Sequence, residues 1–207
     1  MSWKRGSQDR YYKVARREGY RSRSALKLEE ILRTKRPRNG DAVLDLGCSP
    51  GGWSQILSNL VGPKGSVTGV DVVDPHITLP NFRFIQMDMR DQVPSVGPFS
   101  WIFCDAAPKF MGVRDVDMAR AQELWYACLN WCDKTLRQRG ALVMKVFQSR
   151  ELDEIRPEIA RRFSSIKFVK PKASRRESSE IYLLCDGFRS PLSNDTGSSS
   201  PASNLTP

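Results

Sequence analysis

The sequence of 207 residues offers few residues for metal or disulfide chemistry. It contains a single histidine, His76, and its five cysteines form no C-x-x-C pair. We therefore predict neither a metal site nor a disulfide framework, and reduced thiols favour a cytoplasmic protein. No apolar run is long enough to span a bilayer, and no apolar signal segment is visible, so a membrane or secreted protein is not expected.

Negative charge is also scarce relative to positive charge. The net charge is +10, and residues 1–38 alone hold 13 Lys or Arg against 4 Asp or Glu. Trp3, Tyr11, Tyr12 and Tyr20 lie among these charges and offer rings on which bases can stack. A second basic cluster comprises Lys167, Lys170, Lys172, Arg175 and Arg176. Together these features predict RNA binding, with residues 1–38 as a basic RNA-binding segment and helix.

Short β-prone runs alternate with helical patterns along the chain. Helices are predicted over "SRSALKLEEILRT" and over about 52–61, 116–139 and 151–163. Strands are predicted in "DAVLDLG", "GSVTGVD", "FRFIQMD", "FSWIFCD", "GALVMKVF", "SIKFVK" and "SEIYLLCDG". This order predicts an α/β, Rossmann-like fold over residues 39–190, with a mostly parallel seven-stranded sheet and helices on both faces. Residues 191–207 lack apolar periodicity and are predicted to be a disordered tail.

The glycine-rich stretch "VLDLGCSPGGW" permits two interpretations. Residues 47–51 match the G-x-S-x-G nucleophile elbow of serine hydrolases, with Ser49 as the nucleophile. In such an elbow the residue after the serine donates its N–H to the oxyanion hole, and here Pro50 has none. The single histidine also comes too early in the chain to follow the acid of a triad. A cofactor-binding turn is therefore the better interpretation.

Four acids come at or near the ends of four successive strands: Asp45, Asp71, Asp88 and Asp105. The carboxyl ends of parallel strands share one edge of a sheet, where ligands usually bind. A pyrophosphate would be repelled by these acids, and neither G-x-x-x-x-G-K-[ST] nor G-x-G-x-x-G is present. A ligand with an ammonium, a sulfonium, ribose hydroxyls and an adenine amine would be attracted. The acids therefore predict S-adenosylmethionine as the cofactor.

Three further charged residues stand in unusual contexts. Lys145 lies inside the apolar strand "ALVMKVF", Lys27 is the charge within "SALKL", and Glu180 opens the last strand. An ammonium inside an apolar strand needs a partner or must lose its proton. Such charged groups are candidates for carrying chemistry, and strand-end salt bridges are the alternative explanation for this group.

The whole pattern resembles the FtsJ-type RNA ribose 2′-O-methyltransferases over about residues 11–188. The matching pieces are "GYRSRSALKL", "LDLGCSPGGWSQ", "VDVVD", "QMDMRD", "CDAAP", "VMKVFQ" and "KPKASRRESSEIY". The resemblance implies a catalytic tetrad of Lys27, Asp105, Lys145 and Glu180. It also implies cofactor contacts from Gly51, Trp53, Asp71, Asp88 and Asp105. Glu177 competes with Glu180 for the acidic role, but Glu180 directly precedes "IY", as the family pattern requires.

Two departures from the family pattern accompany this resemblance. Cys48 and Ser49 stand where small alanines are usual, and Lys109 follows "DAAP" where the family commonly has Asn. We expect a monomeric enzyme that acts on large-subunit ribosomal RNA, with transfer RNA as the alternative substrate. A non-catalytic RNA-binding protein on a methyltransferase scaffold is the competing hypothesis of a different class.

Overall fold

The β-prone runs of the sequence form a single sheet. The computed structural model of the protein describes residue 17 and residues 19–174 and 178–190. Within these residues, seven strands are present: β1 (Ala42–Leu46), β2 (Ser66–Asp71), β3 (Phe82–Gln86), β4 (Phe99–Cys104), β5 (Leu136–Phe147), β6 (Phe163–Val169) and β7 (Glu180–Phe188). The same residues contain the helices α1 (Ser24–Ile31), α2 (Gly52–Val61), α3 (Arg114–Thr135) and α4 (Arg150–Arg162).

The order of the strands creates a crevice beside β1. Neighbouring strands follow the order β3-β2-β1-β4-β5-β7-β6. Strand β7 runs antiparallel to both of its neighbours, and the other described pairs are parallel. The chain moves outward from β1 to β3 and then returns to place β4 on the other side of β1. This reversal is the switch point at which open α/β sheets bind their ligands.

Apolar side chains cover both faces of the sheet. On β4, Trp101 and Phe103 join a buried cluster with α1 and α2. The alternate residues Ile102 and Cys104 join a second cluster with α3 and α4. Because successive strand residues point to opposite faces, the strands read as continuous apolar runs. The predicted α/β fold, with a mostly parallel sheet and helices on both faces, is confirmed.

One helix boundary predicted from the sequence is wrong. Helical periodicity predicted α3 to continue to Arg139, whereas the helix ends at Thr135 and β5 begins at Leu136. Leu136 is already extended, and Arg139 has a positive φ of 61°. The polar residues between them carry no strand signal, so the sequence pattern could not mark this change of direction. Helix α2, by contrast, has the predicted bounds.

The remaining sequence predictions concern membrane spans and the two terminal segments of the chain. In the described residues, every helix is too short or too polar to span a bilayer. The basic residues up to position 16, and the tail from position 191, lie outside the part of the chain that the structure describes. The predictions for these two segments therefore remain predictions.

Candidate active site

Two cavities adjoin at the carboxyl edge of the sheet. The first, of about 550 Å³, is called here the acidic cavity, because Asp71, Asp88 and Asp105 are among the residues that line it. The second, of about 500 Å³, is called the lysine cavity and is lined by Lys27, Lys145 and Glu180 among others. Ala107 lines both, so the two cavities meet just after β4. Each has a volume typical of small-molecule sites.

The glycine loop after β1 needs a backbone that other residues rarely adopt. Gly47 has a φ of 75°, and a Cβ there would lie 2.8 Å from the backbone of Ala106. Gly51, which directly precedes α2, has a φ of 100°. A Cβ on Gly51 would meet the side chain of Ile77. The two glycines therefore let the loop pass close to its neighbours. Gly47 and Ser49 line the acidic cavity, whereas Gly51 is not among its lining residues.

Asp71 and Asp88 reach the acidic cavity with different partners. The carboxylate of Asp71 accepts hydrogen bonds from the N–H groups of Ser49, at 3.0 Å, and Val73, at 2.9 Å. This contact ties the glycine loop to the end of β2. Asp88 pairs with Arg90, with 2.6 Å between Oδ2 and the guanidinium, and this hydrogen bond keeps the pKa of Asp88 below its usual range. Both carboxylates retain lone pairs for a ligand's hydroxyl or amine.

Asp45 differs from the other three acids that the sequence singled out. It lies one residue before the end of β1, is fully buried, and is not among the residues lining the acidic cavity. Its Oδ2 accepts a hydrogen bond of 2.6 Å from the hydroxyl of Ser54 on α2. Burial raises the pKa of Asp45 to about 7. Asp45 therefore joins β1 to α2 beneath the glycine loop.

The contact between Lys145 and Asp105 joins the two cavities. The Lys145 ammonium lies 3.1 Å from Asp105 Oδ1 and also donates a hydrogen bond to the carbonyl oxygen of Asp105. Residues Cys104 and Met144, which directly precede them, are paired across β4 and β5. Strand register therefore places the acid and the amine side by side. Lys145 is buried, with 8% of its surface exposed, so its ammonium depends on this partner.

Lys27 and Glu180 form a second ion pair in the lysine cavity. Their Nζ and Oε1 atoms are 2.6 Å apart, and the hydroxyl of Ser174 donates to the same oxygen at 2.9 Å. Burial raises the pKa of Glu180, but the hydrogen bonds and the charge of Lys27 outweigh this and lower it overall. Because β7 is antiparallel, its first residue lies at the edge where the parallel strands end. Glu180 is accordingly paired with Phe147, the last residue of β5.

Tyr182 links the two ion pairs and was not singled out from the sequence. Its hydroxyl donates to Asp105 Oδ1 at 2.9 Å, and it is paired with Lys145 across β5 and β7. The ammonium of Lys27 lies 5.9 Å from the centre of its ring. Burial and the nearby Asp105 charge raise the pKa of Tyr182 well above its ordinary value, so the hydroxyl keeps its proton. The tyrosine in "EIY" therefore positions the Asp105 carboxylate.

Trp53 occupies the interior behind the site. Its indole N–H donates to the carbonyl oxygen of Ser24 at 2.9 Å, and its ring packs against Tyr182 with 5.7 Å between ring centres. With 2% of its surface exposed, it is not among the residues lining either cavity. In this structure it connects α1, which carries Lys27, to the strand that carries Tyr182.

The hydrolase interpretation gains no support from the geometry. The backbone N–H of Ser49 donates to Asp71, and Ser49 lines the acidic cavity. The ring of His76 is exposed and lies 3.5 Å from Asp74. Its backbone has a positive φ of 48°, and it lies in a segment without regular secondary structure. Because Gly47 and Ser49 line the acidic cavity, the geometry favours the cofactor-binding interpretation of the loop.

The acidic cavity suits the cofactor predicted from the sequence. Its three carboxylates match the amine and hydroxyl groups of S-adenosylmethionine, and Arg90, paired with Asp88, lines the cavity too. The cavity also includes Lys109 and Arg120, which could meet a ligand carboxylate. A ligand with both charge signs, ribose hydroxyls and a flat base therefore fits this mixed lining. Lys109, which stands where the family commonly has Asn, therefore adds one cation to this cavity.

The fold and the acidic cavity at its switch point define a Rossmann-like methyltransferase. The model of the FtsJ-like methyltransferase family matches residues 20–188, so the chain belongs to this family. Two relatives are both described as ribosomal RNA large subunit methyltransferase E. The protein of Bdellovibrio bacteriovorus is 39% identical over 185 residues, which cover 85% of this chain and 94% of the relative. The protein of Nitrosopumilus maritimus is 38% identical over 188 residues, covering 87% and 95%.

Similarity to solved structures supports the same fold. A Plasmodium falciparum structure, provisionally described as a ribosomal RNA methyltransferase, superposes with a TM-score of 0.71 at 24% identity. The match covers 82% of this chain and 98% of that one. The family resemblance noted in the sequence is thus confirmed, and the protein is an enzyme of the methyltransferase class.

Proposed function

We propose that the protein transfers a methyl group from S-adenosylmethionine to a ribose 2′-hydroxyl of large-subunit ribosomal RNA. The names of its relatives support this RNA as the substrate class. The observation that carries the proposal is the Lys145–Asp105 contact, which joins a cavity suited to the cofactor to one lined by two lysines and a glutamate. The free, buried cysteines are consistent with a cytoplasmic enzyme, which we take to be monomeric.

The tetrad residues have distinct tasks in this proposal. When bound, S-adenosylmethionine supplies a methyl group on a positively charged sulfur, a strong methyl donor. The ribose hydroxyl is a poor nucleophile, so the protein must orient it and accept its proton. Lys145, which pairs with Asp105 as an ammonium in this structure, would first give up one proton to solvent. Its neutral amine, held by Asp105 at the junction of the cavities, would then accept the hydroxyl proton. The Lys27–Glu180 pair would orient the ribose and balance the charge.

A direct assay separates this function from its alternatives. The purified enzyme should transfer labelled methyl groups from S-adenosylmethionine to unmodified large-subunit ribosomal RNA, and the product should resist alkaline cleavage at one position. Such resistance identifies 2′-O-methylation, because cleavage needs a free 2′-hydroxyl. Labelling of transfer RNA instead would change the substrate class. RNA binding without transfer to either RNA would favour a non-catalytic RNA-binding protein.

We expect the acidic cavity to bind S-adenosylmethionine without any added metal. Replacing Asp71 or Asp88 with alanine should weaken binding about tenfold or more, since each change removes a charged acceptor of hydrogen bonds. Isothermal calorimetry measures this directly. Asp153→Ala serves as the control, because Asp153 is an exposed acid of α4 outside the cavity. Binding that appears only with a divalent ion, or that is unchanged in both variants, would contradict the assignment.

We also propose that the basic segment of residues 1–38 binds the RNA backbone. Neutralising Lys4, Arg5, Arg10, Arg16 and Arg17 should weaken RNA binding. It should also flatten the salt dependence of binding, by roughly 0.7 in log–log slope for each single-strand phosphate that the variant no longer neutralises. The affinity for S-adenosylmethionine should not change. An unaltered slope would instead assign RNA binding to the second basic cluster, residues 167–176.

A further inference from the structure

An exposed aromatic ring lies on the rim of the lysine cavity. Phe110 is 50% exposed and lines this cavity together with Lys27, Lys145 and Glu180. The apolar residues that follow it, Met111 and Val113, are more than half exposed. The exposed half of this large ring gains no burial energy in this structure. Such an exposed apolar group beside a site indicates a surface for a ligand.

The position of the Phe110 ring is fixed by its neighbours. It packs edge to face with Phe147, with 5.4 Å between ring centres and 85° between planes. The following loop is held by the buried carboxylate of Asp117 on α3, which accepts hydrogen bonds from the N–H groups of Met111, at 2.7 Å, and Gly112, at 2.9 Å. Phe110 therefore has one side supported by the protein and the rest of its ring available.

The Phe110 ring and the lysines of the tetrad line the same cavity. Phe147, which supports the ring, lies two residues after Lys145 on β5, so their Cα atoms are about 7 Å apart. In a nucleotide, the base is attached to the sugar carbon next to the one that bears the 2′-hydroxyl. When that hydroxyl is near Lys145, its own base is within reach of the rim of the same cavity. Single-stranded RNA is commonly recognised by stacking its bases on aromatic rings.

We propose that Phe110 stacks on the base of the target nucleotide and positions its ribose for methyl transfer. This inference rests on the function proposed above. Phe110 acts as a positioning residue, since it contacts the base and not the reacting atoms. Stacking needs a flat ring and no hydrogen bonds, so this contact tolerates any base. The rest of the RNA would bind elsewhere on the protein. Phe110 would therefore mainly determine how the target nucleotide is oriented once the RNA is bound.

Steady-state methyl transfer to large-subunit ribosomal RNA tests the proposal. Phe110→Ala should lower kcat/KM about 5- to 150-fold, the range that corresponds to losing one stacked base, with part of the loss in kcat. Phe110→Trp and Phe110→Tyr should retain activity. Phe110→Leu, equally apolar but without a flat ring, should stay impaired. Tyr126→Ala is the matched control, because Tyr126 is 46% exposed on α3 and is not among the residues lining either cavity.

The outcomes separate this inference from the proposed function. Wild-type kcat in Phe110→Ala, full activity in Phe110→Leu, or a rise in KM alone would overturn the positioning role. A single-stranded RNA carrying 2-aminopurine gives a second readout that needs no catalysis. Its fluorescence should be quenched on binding to the wild type and not to Phe110→Ala, and equal quenching would contradict stacking. If the wild type transfers no methyl group to RNA, the proposed function fails, while the fluorescence still decides whether Phe110 stacks on a base.

Discussion

Replacing Lys145 with alanine is expected to slow methyl transfer by at least about a hundredfold, and by up to about ten-thousandfold. Losing a positioned general base typically has an effect of this size. Lys145 is buried, and its amine contacts Asp105 where the acidic and lysine cavities meet. It is therefore placed to take the proton of a hydroxyl brought to that junction. Binding of S-adenosylmethionine and RNA should stay close to wild type, because other groups line most of both cavities.

Lys145→Arg distinguishes a base from a fixed cation. A guanidinium keeps its proton in proteins and cannot serve as a base, so this variant should remain as slow as the alanine variant. Single-turnover transfer rates at saturating cofactor and RNA give the comparison without contributions from product release. Lys64→Ala is a suitable control, since Lys64 is exposed in the turn after α2 and is not among the residues lining the cavities. Wild-type rates in Lys145→Arg would mean that Lys145 steers the substrate by its charge.

The sheet and the ends of its strands were largely predictable from the sequence. Runs such as "VLDL" and "FSWIFC" are apolar on both faces, which is typical of strands covered by helices on both sides. The parallel order then brings Asp71, Asp88 and Asp105 to a common edge, where the structure shows them lining one cavity. Strand register similarly explains why Lys145 meets Asp105. The common edge follows from periodicity and topology, whereas the pairing of Lys145 with Asp105 was implied only by the family resemblance.

Other parts of the site depend on packing that no local pattern encodes. Asp45 also lies near a strand end, yet it lies under the glycine loop and bonds to Ser54 instead of lining the cavity. Trp53 was expected at the cofactor from the family resemblance, and here it packs against Tyr182. Phe110 could not be recognised because its exposure depends on how the loop after β4 is held by Asp117. Tertiary contacts between distant segments decide each of these positions.

The free energy of unfolding is expected to fall as pH rises from about 4 to about 7 because of Asp45. Burial raises the pKa of this carboxyl from 3.8 to about 7. The Ser54 hydroxyl partly opposes the rise, and the charges of Asp105 and Asp71 add to it. Asp45 Oδ1 has no hydrogen-bond partner among the described residues, so the ionised form is poorly compensated.

The direction of the effect follows from proton binding. Between these two pKa values the folded protein keeps the proton of Asp45, whereas the unfolded chain has released it. Because the folded state then binds more protons, stability decreases with rising pH across this window. The contribution is complete below about pH 4 and is lost as pH rises through 7. A shift of this size corresponds to about 4 kcal/mol in total, at about 1.4 kcal/mol for each pKa unit.

Urea unfolding of the cofactor-free protein at a series of pH values between 5 and 8 tests this expectation. Asp45→Asn cannot ionise at this position. The free energy of unfolding of this variant, relative to that of the wild type, should therefore increase by a few kcal/mol as pH rises. Ser54→Ala removes the hydrogen bond that favours the carboxylate, so its pH-dependent loss should extend to higher pH than in the wild type. Parallel curves for wild type and Asp45→Asn would mean that the buried carboxyl ionises at its ordinary pKa, and that the β1–α2 contact holds a charge at neutral pH.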